Sequence, residues 1–216
     1  MRYSTSSANP NRERFFRAAS VDPARVLGVE LMHTRRVLAP ASAVEHRLLE
    51  AEAASEGGAD GIVLPPGSGL WASVTVADCM PIWILDRASG ACGILHSGWK
   101  GTGILEAGVG LMAERFGARP ADLSVILGPA IGPCCYDVPP ERAASFAAEF
   151  GAESAPTLGG SPRIDLRSAN VSLARRLGIG ALLSIEACTA CDARLGSFRR
   201  EGAERFTRMV AAVGEA

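Results

Sequence analysis

Residues 82–103 read Ile82-Trp83-Ile84-Leu85-Asp86-Arg87-Ala88-Ser89-Gly90-Ala91-Cys92-Gly93-Ile94-Leu95-His96-Ser97-Gly98-Trp99-Lys100-Gly101-Thr102-Gly103. Two short apolar runs, residues 82–85 and 91–95, flank a polar turn at 86–90 and are predicted as two strands. The second ends at His96. A glycine-rich turn follows and opens onto Ile104–Phe116, whose apolar residues recur at helical spacing. Two strands feeding a helix through a tight turn begin an α/β pattern.

The pattern continues on both sides. Downstream, Leu123–Leu127 reads as a strand and 128–136, with its two Gly-Pro pairs, as a stiff loop. Pro140–Phe150 reads as a helix, 151–162 as a surface loop, and 165–177 as a helix capped by Asp165. Residues 181–186 form a predicted strand, 188–200 a loop or edge, and 203–213 a helix. Upstream, Gly61–Leu64 and Trp71–Val76 are predicted strands. Pro81 lacks a ladder donor, so a turn or bulge is expected near Cys79. Residues 41–55 form a predicted helix with His46 on its solvated side, stopped by Gly57-Gly58. Asp22-Pro23 reads as a helix start. Residues 26–37 are expected to be a strand carrying His33. The polar first 20 residues read as an arm. Together these give an arm over 1–20 and one α/β domain over 21–216, its mixed sheets flanked by helices.

The bulk composition narrows the function classes. Apolar residues make up 48% and charged residues 21%, as in a globular chain, and the formal net charge is −1. Without a dense basic block, neither nucleic acid nor an anionic membrane is an expected partner. The N-terminus lacks an apolar signal core, and the most apolar stretch, 74–85, is broken by Asp78 and Pro81. A cytoplasmic protein is expected, acting as a monomer or small homo-oligomer. Its six cysteines then read as thiols or ligands rather than disulfides. Cys134 and Cys135 read as small buried residues. Cys188 and Cys191 form a single CxxC, which by itself does not support a zinc ribbon.

Only three histidines occur in the chain. His96 stands at a strand end before Gly98, and Cys79 at a junction after Asp78. Such junctions are where α/β proteins place their chemistry. With His33, these residues offer a His, a Cys and a His, three corners of a zinc tetrahedron with the fourth open. The turn 97–103 suits an anion at the helix start, with Lys100 adding a point charge.

The stretches 77–81 (Ala-Asp-Cys-Met-Pro), 96–101 (His-Ser-Gly-Trp-Lys-Gly) and 128–136 (Gly-Pro-Ala-Ile-Gly-Pro-Cys-Cys-Tyr) closely resemble three signatures of the laccase-domain family, also called polyphenol oxidase-like or multicopper polyphenol oxidoreductase-like. Cys188-Thr189-Ala190-Cys191 and Ser197-Phe198-Arg199-Arg200 resemble its C-terminal signature. The resemblance implies a fold like that of cytotoxic-necrotising-factor-type cysteine hydrolases. It also implies a metal held by His33, Cys79 and His96: zinc, with copper as the alternative. The expected activity is phosphorolysis of adenosine, inosine and methylthioadenosine, with deamination of adenosine. Nucleoside and phosphate are then the partners. Asp78 is expected as proton carrier or support for the metal site. Gly98, Lys100, Arg199 and Arg200 are expected to bind phosphate or another anion. Two other readings follow from the same resemblance. One is a peptidoglycan-editing amidase with Cys79 as nucleophile and His96 as base; the other is a copper-dependent polyphenol oxidase. A laccase needs several coppers, and the sequence offers no second histidine cluster to hold them.

Overall fold

The computed structural model describes residues 10–215. In chain order the elements are α1 (Pro10–Ala18), β1 (Val26–Gly28), β2 (Val37–Leu38), α2 (Ala43–Ser55), β3 (Gly61–Leu64), β4 (Trp71–Val76), β5 (Met80–Asp86), β6 (Cys92–Ser97), α3 (Ile104–Phe116), β7 (Leu123–Leu127), α4 (Pro140–Phe150), β8 (Thr157–Leu158), β9 (Ser161–Pro162), α5 (Leu166–Arg176), β10 (Ala181–Ser184), α6 (Phe198–Glu201) and β11 (Met209–Gly214).

Local chemistry sets the helix ends. Ser42 caps α2 by accepting from the Glu45 N–H, while the Glu45 carboxylate accepts in return from the Ala41 N–H. Asp165 accepts from the N–H groups of Arg167 and Ser168 at the start of α5. Gly117 ends α3 in the left-handed region.

The main sheet has six strands in the order β10-β7-β5-β6-β3-β2. Its centre is antiparallel (β7-β5-β6-β3), and both flanking pairs, β10 with β7 and β2 with β3, are parallel. A second sheet, β1-β4-β11, pairs β4 in parallel with β1 and antiparallel with β11. The strand side chains alternate between two cores. Ile82, Ile84 and Leu95 face a core built with α3, α4 and α5. Trp83, Leu85 and Ile94 face the second sheet through Ala72, Val74 and Val76. The molecule is therefore a single α/β domain of three layers: small sheet, large sheet, helices.

The turn expected near Cys79 falls at residues 77–79, between β4 and β5, and Pro81 itself sits inside β5, opposite His96. It is tolerated because β7 is leaving the sheet there: the Gly128 N–H donates to the Pro81 carbonyl, and the next β5 residue, Ile82, begins the regular register with Leu127. A missing donor costs little where the ladder ends.

Three expectations are corrected. Residues 26–37 do not form one strand; β1 and β2 belong to different sheets, and the chain between them crosses from one to the other with His33 at φ +61. Residues 203–213 are not a helix. Their apolar end forms β11, which covers the free edge of β4, and the Trp83 indole N–H donates to the Ala212 carbonyl at 3.0 Å, tying the two sheets together. Pairing with an open strand edge overrides the weak helical spacing of this segment. His46 is not solvated but 5% exposed, packed beneath α2, where burial lowers its pKa.

The arm expected over residues 1–20 lies outside the described residues as far as residue 9. From Pro10 the chain is helical, and Phe16, 1% exposed, packs with Val21 and Val26. Among the described residues no helix is long and apolar enough to cross a membrane.

Candidate metal centre and active site

The β4–β5 turn, the end of β6 and the 29–36 crossover meet at one point. The ligand atoms of His33, Cys79 and His96 lie within 4.8 Å of one another. The Cys79 sulfur is 3.9 Å from His33 Nε2, and the two imidazole rings stand edge to face with centroids 5.0 Å apart. A tetrahedral zinc with bonds of about 2.0–2.1 Å to nitrogen and 2.3 Å to sulfur separates those donors by about 3.6 Å. The three side chains therefore fit a metal with small adjustments, and as donors they suit zinc or copper.

The sequence did not reveal the residue that organises this trio. Asp60 is fully buried at the start of β3. One carboxylate oxygen pairs with His96 Nδ1 at 2.8 Å, which leaves Nε2 for the site. The same carboxylate accepts from the N–H groups of Met32, His33 and Thr34 and from the Thr34 hydroxyl. Asp60 thus orients one imidazole directly and holds the backbone that presents the other, the partner role typical around metal-bound histidines. Burial alone would raise its pKa, but the His96 hydrogen bond and the Thr34 donors hold it below the usual carboxylate value. Its position, just after Gly57-Gly58-Ala59, carries no periodic signal.

Burial opposes charge at both Cys79 and His96, yet each favours the ion of the other. The two histidines, His96 first, hold the Cys79 thiol down to about 6. The Cys79 thiolate, then the Asp60 hydrogen bond, raise His96 to about 10. Without a metal the pair is therefore a thiolate beside an imidazolium.

Gly98 makes the close approach possible. A Cβ there would lie 2.8 Å from the Cys79 sulfur and 3.1 Å from His33 Cδ2. Asp78 adopts φ +86, an uncommon backbone state for a residue with a side chain. One of its carboxylate oxygens accepts from the Thr189 hydroxyl at 2.6 Å and the other from the Arg199 N–H at 2.7 Å. Its carbonyl accepts from the Ile131 N–H. Asp78 thus joins the cysteine turn to both downstream loops.

A cavity of about 560 Å³ opens over the trio. Trp99, Tyr136, Phe198 and Phe206 line it together with Arg142, Arg199 and Arg208. Of these, only Arg199 and the signature residues stood out in the sequence; Arg142 and Arg208 lie in segments without a motif. The Arg142 guanidinium lies 4.4 Å from the Trp99 ring centroid, and the Arg208 guanidinium 4.3 Å from that of Phe206. Burial pushes the Tyr136 hydroxyl up to about 12. Lys100 is exposed and is not on the cavity wall. Arg200 turns away and donates to the carbonyls of Thr189, Asp192 and Leu195. The turn after Gly98 closes on itself: the N–H groups of Thr102 and Ile104 are taken by Gly98 and Gly101 carbonyls.

Similarity to known proteins agrees with this architecture. The chain is 36% identical over 140 residues to mouse "Purine nucleoside phosphorylase LACC1", an alignment covering 61% of this chain and 32% of that protein. The chain therefore spans about a third of the length of that relative. It is 33% identical over 193 residues to "Purine nucleoside phosphorylase SCO2081" of Streptomyces coelicolor, covering 88% of this chain and 76% of the relative. Its fold matches the crystal structure of YlmD from Geobacillus stearothermophilus with a TM-score of 0.82 at 26% identity, over 99% of this chain and 84% of that one. The profile described as "Multi-copper polyphenol oxidoreductase laccase" matches residues 4–215, and the chain belongs to that family.

Proposed function

We propose that this protein is a zinc-dependent purine nucleoside phosphorylase that accepts adenosine, inosine and methylthioadenosine and also deaminates adenosine. The observation that carries the reading is the cavity itself, where three arginines and four aromatic rings surround the His33–Cys79–His96 trio. Purine nucleoside phosphorylase relatives support the substrate class. A volume near 560 Å³ suits a nucleoside with phosphate.

His33, Cys79 and His96 would hold the metal, which supplies Lewis acidity at an open coordination position. The protein's own groups do the rest. Arg142, Arg199 and Arg208 bind and orient phosphate, since a guanidinium fork matches its oxygens. They take the role that sequence assigned to Lys100, Arg200 and the 98–103 backbone. The aromatic wall stacks the purine and excludes water. Asp60 fixes the imidazoles, and Asp78 positions Cys79 and the Arg199 backbone. Phosphorolysis then joins phosphate to ribose C1′ as the glycosidic bond breaks and the base leaves. The test is incubation of zinc-loaded protein with inosine and phosphate, with chromatography of hypoxanthine and ribose 1-phosphate. Activity should vanish in Cys79→Ala, and turnover that survives this substitution refutes the assignment.

A cysteine amidase is the second reading, favoured by the thiolate–imidazolium pair facing the cavity. Amide hydrolysis that persists after exhaustive chelation and stops on alkylation of Cys79 would select it. The copper polyphenol oxidase is less well supported. Among the described residues the other donor cluster contains only sulfur, and the third histidine is buried beneath α2.

A further inference from the structure

The sequence offers one isolated CxxC and one Cys-Cys pair, 53 residues apart, counting from Cys135 to Cys188. The fold brings them together. The sulfurs of Cys134, Cys135, Cys188 and Cys191 all lie within 4.8 Å of one another. Cys191 Sγ is 3.4 Å from Cys135 Sγ and 3.7 Å from Cys134 Sγ. In a tetrahedral zinc–thiolate centre with bonds of about 2.3 Å, adjacent sulfurs stand about 3.8 Å apart. All four cysteines are free thiols. Cys134 and Cys191 are exposed rather than packed as small core residues, so a metal can reach the cluster from solvent.

The surroundings resemble a metal-binding knuckle more than a packed core. The Gly132 N–H donates to Cys188 Sγ at 3.2 Å, a bond that favours a thiolate. The Cys191 and Asp192 N–H groups both donate to the Cys188 carbonyl, closing the CxxC turn. A parallel bridge between Ala130 and Cys188 aligns the two segments.

We propose that Cys134, Cys135, Cys188 and Cys191 form a second metal site, a structural four-cysteine zinc centre separate from the His33–Cys79–His96 trio. All four corners are filled by protein, so the site has no open position and its role is structural. It clasps the 128–136 loop to the 188–200 segment. Those two stretches carry Tyr136 and Arg199 to the cavity wall, and Thr189, between the two CxxC sulfurs, holds Asp78. The cluster thus braces the chain immediately before Cys79.

Metal analysis of the full chain, purified under reducing conditions and equilibrated with buffered zinc, tests this directly. Cys79→Ser should keep one tightly held zinc, and further substitution of Cys134 and Cys191 by serine should remove it. Cobalt(II) loaded into Cys79→Ser protein gives a second readout that needs no change in the cluster. Four thiolates produce strong sulfur-to-cobalt charge-transfer absorption and tetrahedral visible bands. Zinc should also protect four thiols of Cys79→Ser from Ellman's reagent. The proposal is overturned if Cys79→Ser binds no metal and its thiols react equally with and without zinc. It is also overturned if these cysteines are recovered as disulfides from reduced, zinc-supplied protein.

Discussion

At the scale of single residues, Asp60 should matter as much as the ligands. Asp60→Asn keeps the shape but removes the charge that orients His96 and gathers the 32–34 amides. Zinc affinity measured by competition with a chromophoric chelator should fall by about 10–100-fold, with circular dichroism unchanged. Unaltered affinity would make the carboxylate a fold residue only. Gly98→Ala tests packing at the same centre, because its methyl would overlap the Cys79 sulfur. Metal retention should be lost while the rest of the fold persists, as judged by thermal unfolding. A third prediction concerns pH. In metal-stripped protein the Cys79 thiolate forms as pH rises through about 6, whereas an ordinary thiol ionises near about 8.5. Alkylation of the Cys79 peptide by iodoacetamide, followed by mass spectrometry, should therefore be half-maximal near pH 6 and level at neutrality. In His96→Ala the midpoint should move upward, since the main charge holding the thiolate is gone.

At the scale of elements, stability is concentrated at the centre of the large sheet. Ile84 on β5 is fully buried between neighbours on both sides, while Leu183 on β10 is 58% exposed at the edge. Ile84→Ala should lower unfolding free energy by about 2–5 kcal/mol, and Leu183→Ala by no more than about 0.5 kcal/mol; urea titration distinguishes them. The elements most legible in sequence are those governed by local rules. Ile104–Phe116 is bounded by glycines, and α5 is announced by Asp165. Where the outcome depends on distant partners, sequence was a poor guide. Residues 26–37 divide because β4 and β3 capture the two ends, and β11 forms because β4 offers an edge. Within the trio, Cys79 and His96 stood out in sequence by their places at strand junctions, whereas His33, expected inside a strand, lies on the crossover between β1 and β2. Asp60 did not stand out, since a buried carboxylate becomes informative only when the five groups around it are seen together.

At the scale of the whole molecule, the layers bring chemistry from both ends of the chain into one cavity. Met32 and Arg208 line the same space although they are separated by most of the sequence. The proposed phosphate site draws on α4, α6 and the approach to β11. Arg142→Ala should raise KM for phosphate by about tenfold or more, in keeping with the loss of a charge-assisted hydrogen bond, and should leave KM for the nucleoside nearly unchanged. Steady-state kinetics with each substrate varied in turn makes the comparison; equal changes in both constants would move Arg142 out of phosphate binding. The shared carboxylate at Asp60 has a corollary. Because one anion aligns the His96 ring and the backbone that presents His33, any substitution there disturbs two corners of the site at once.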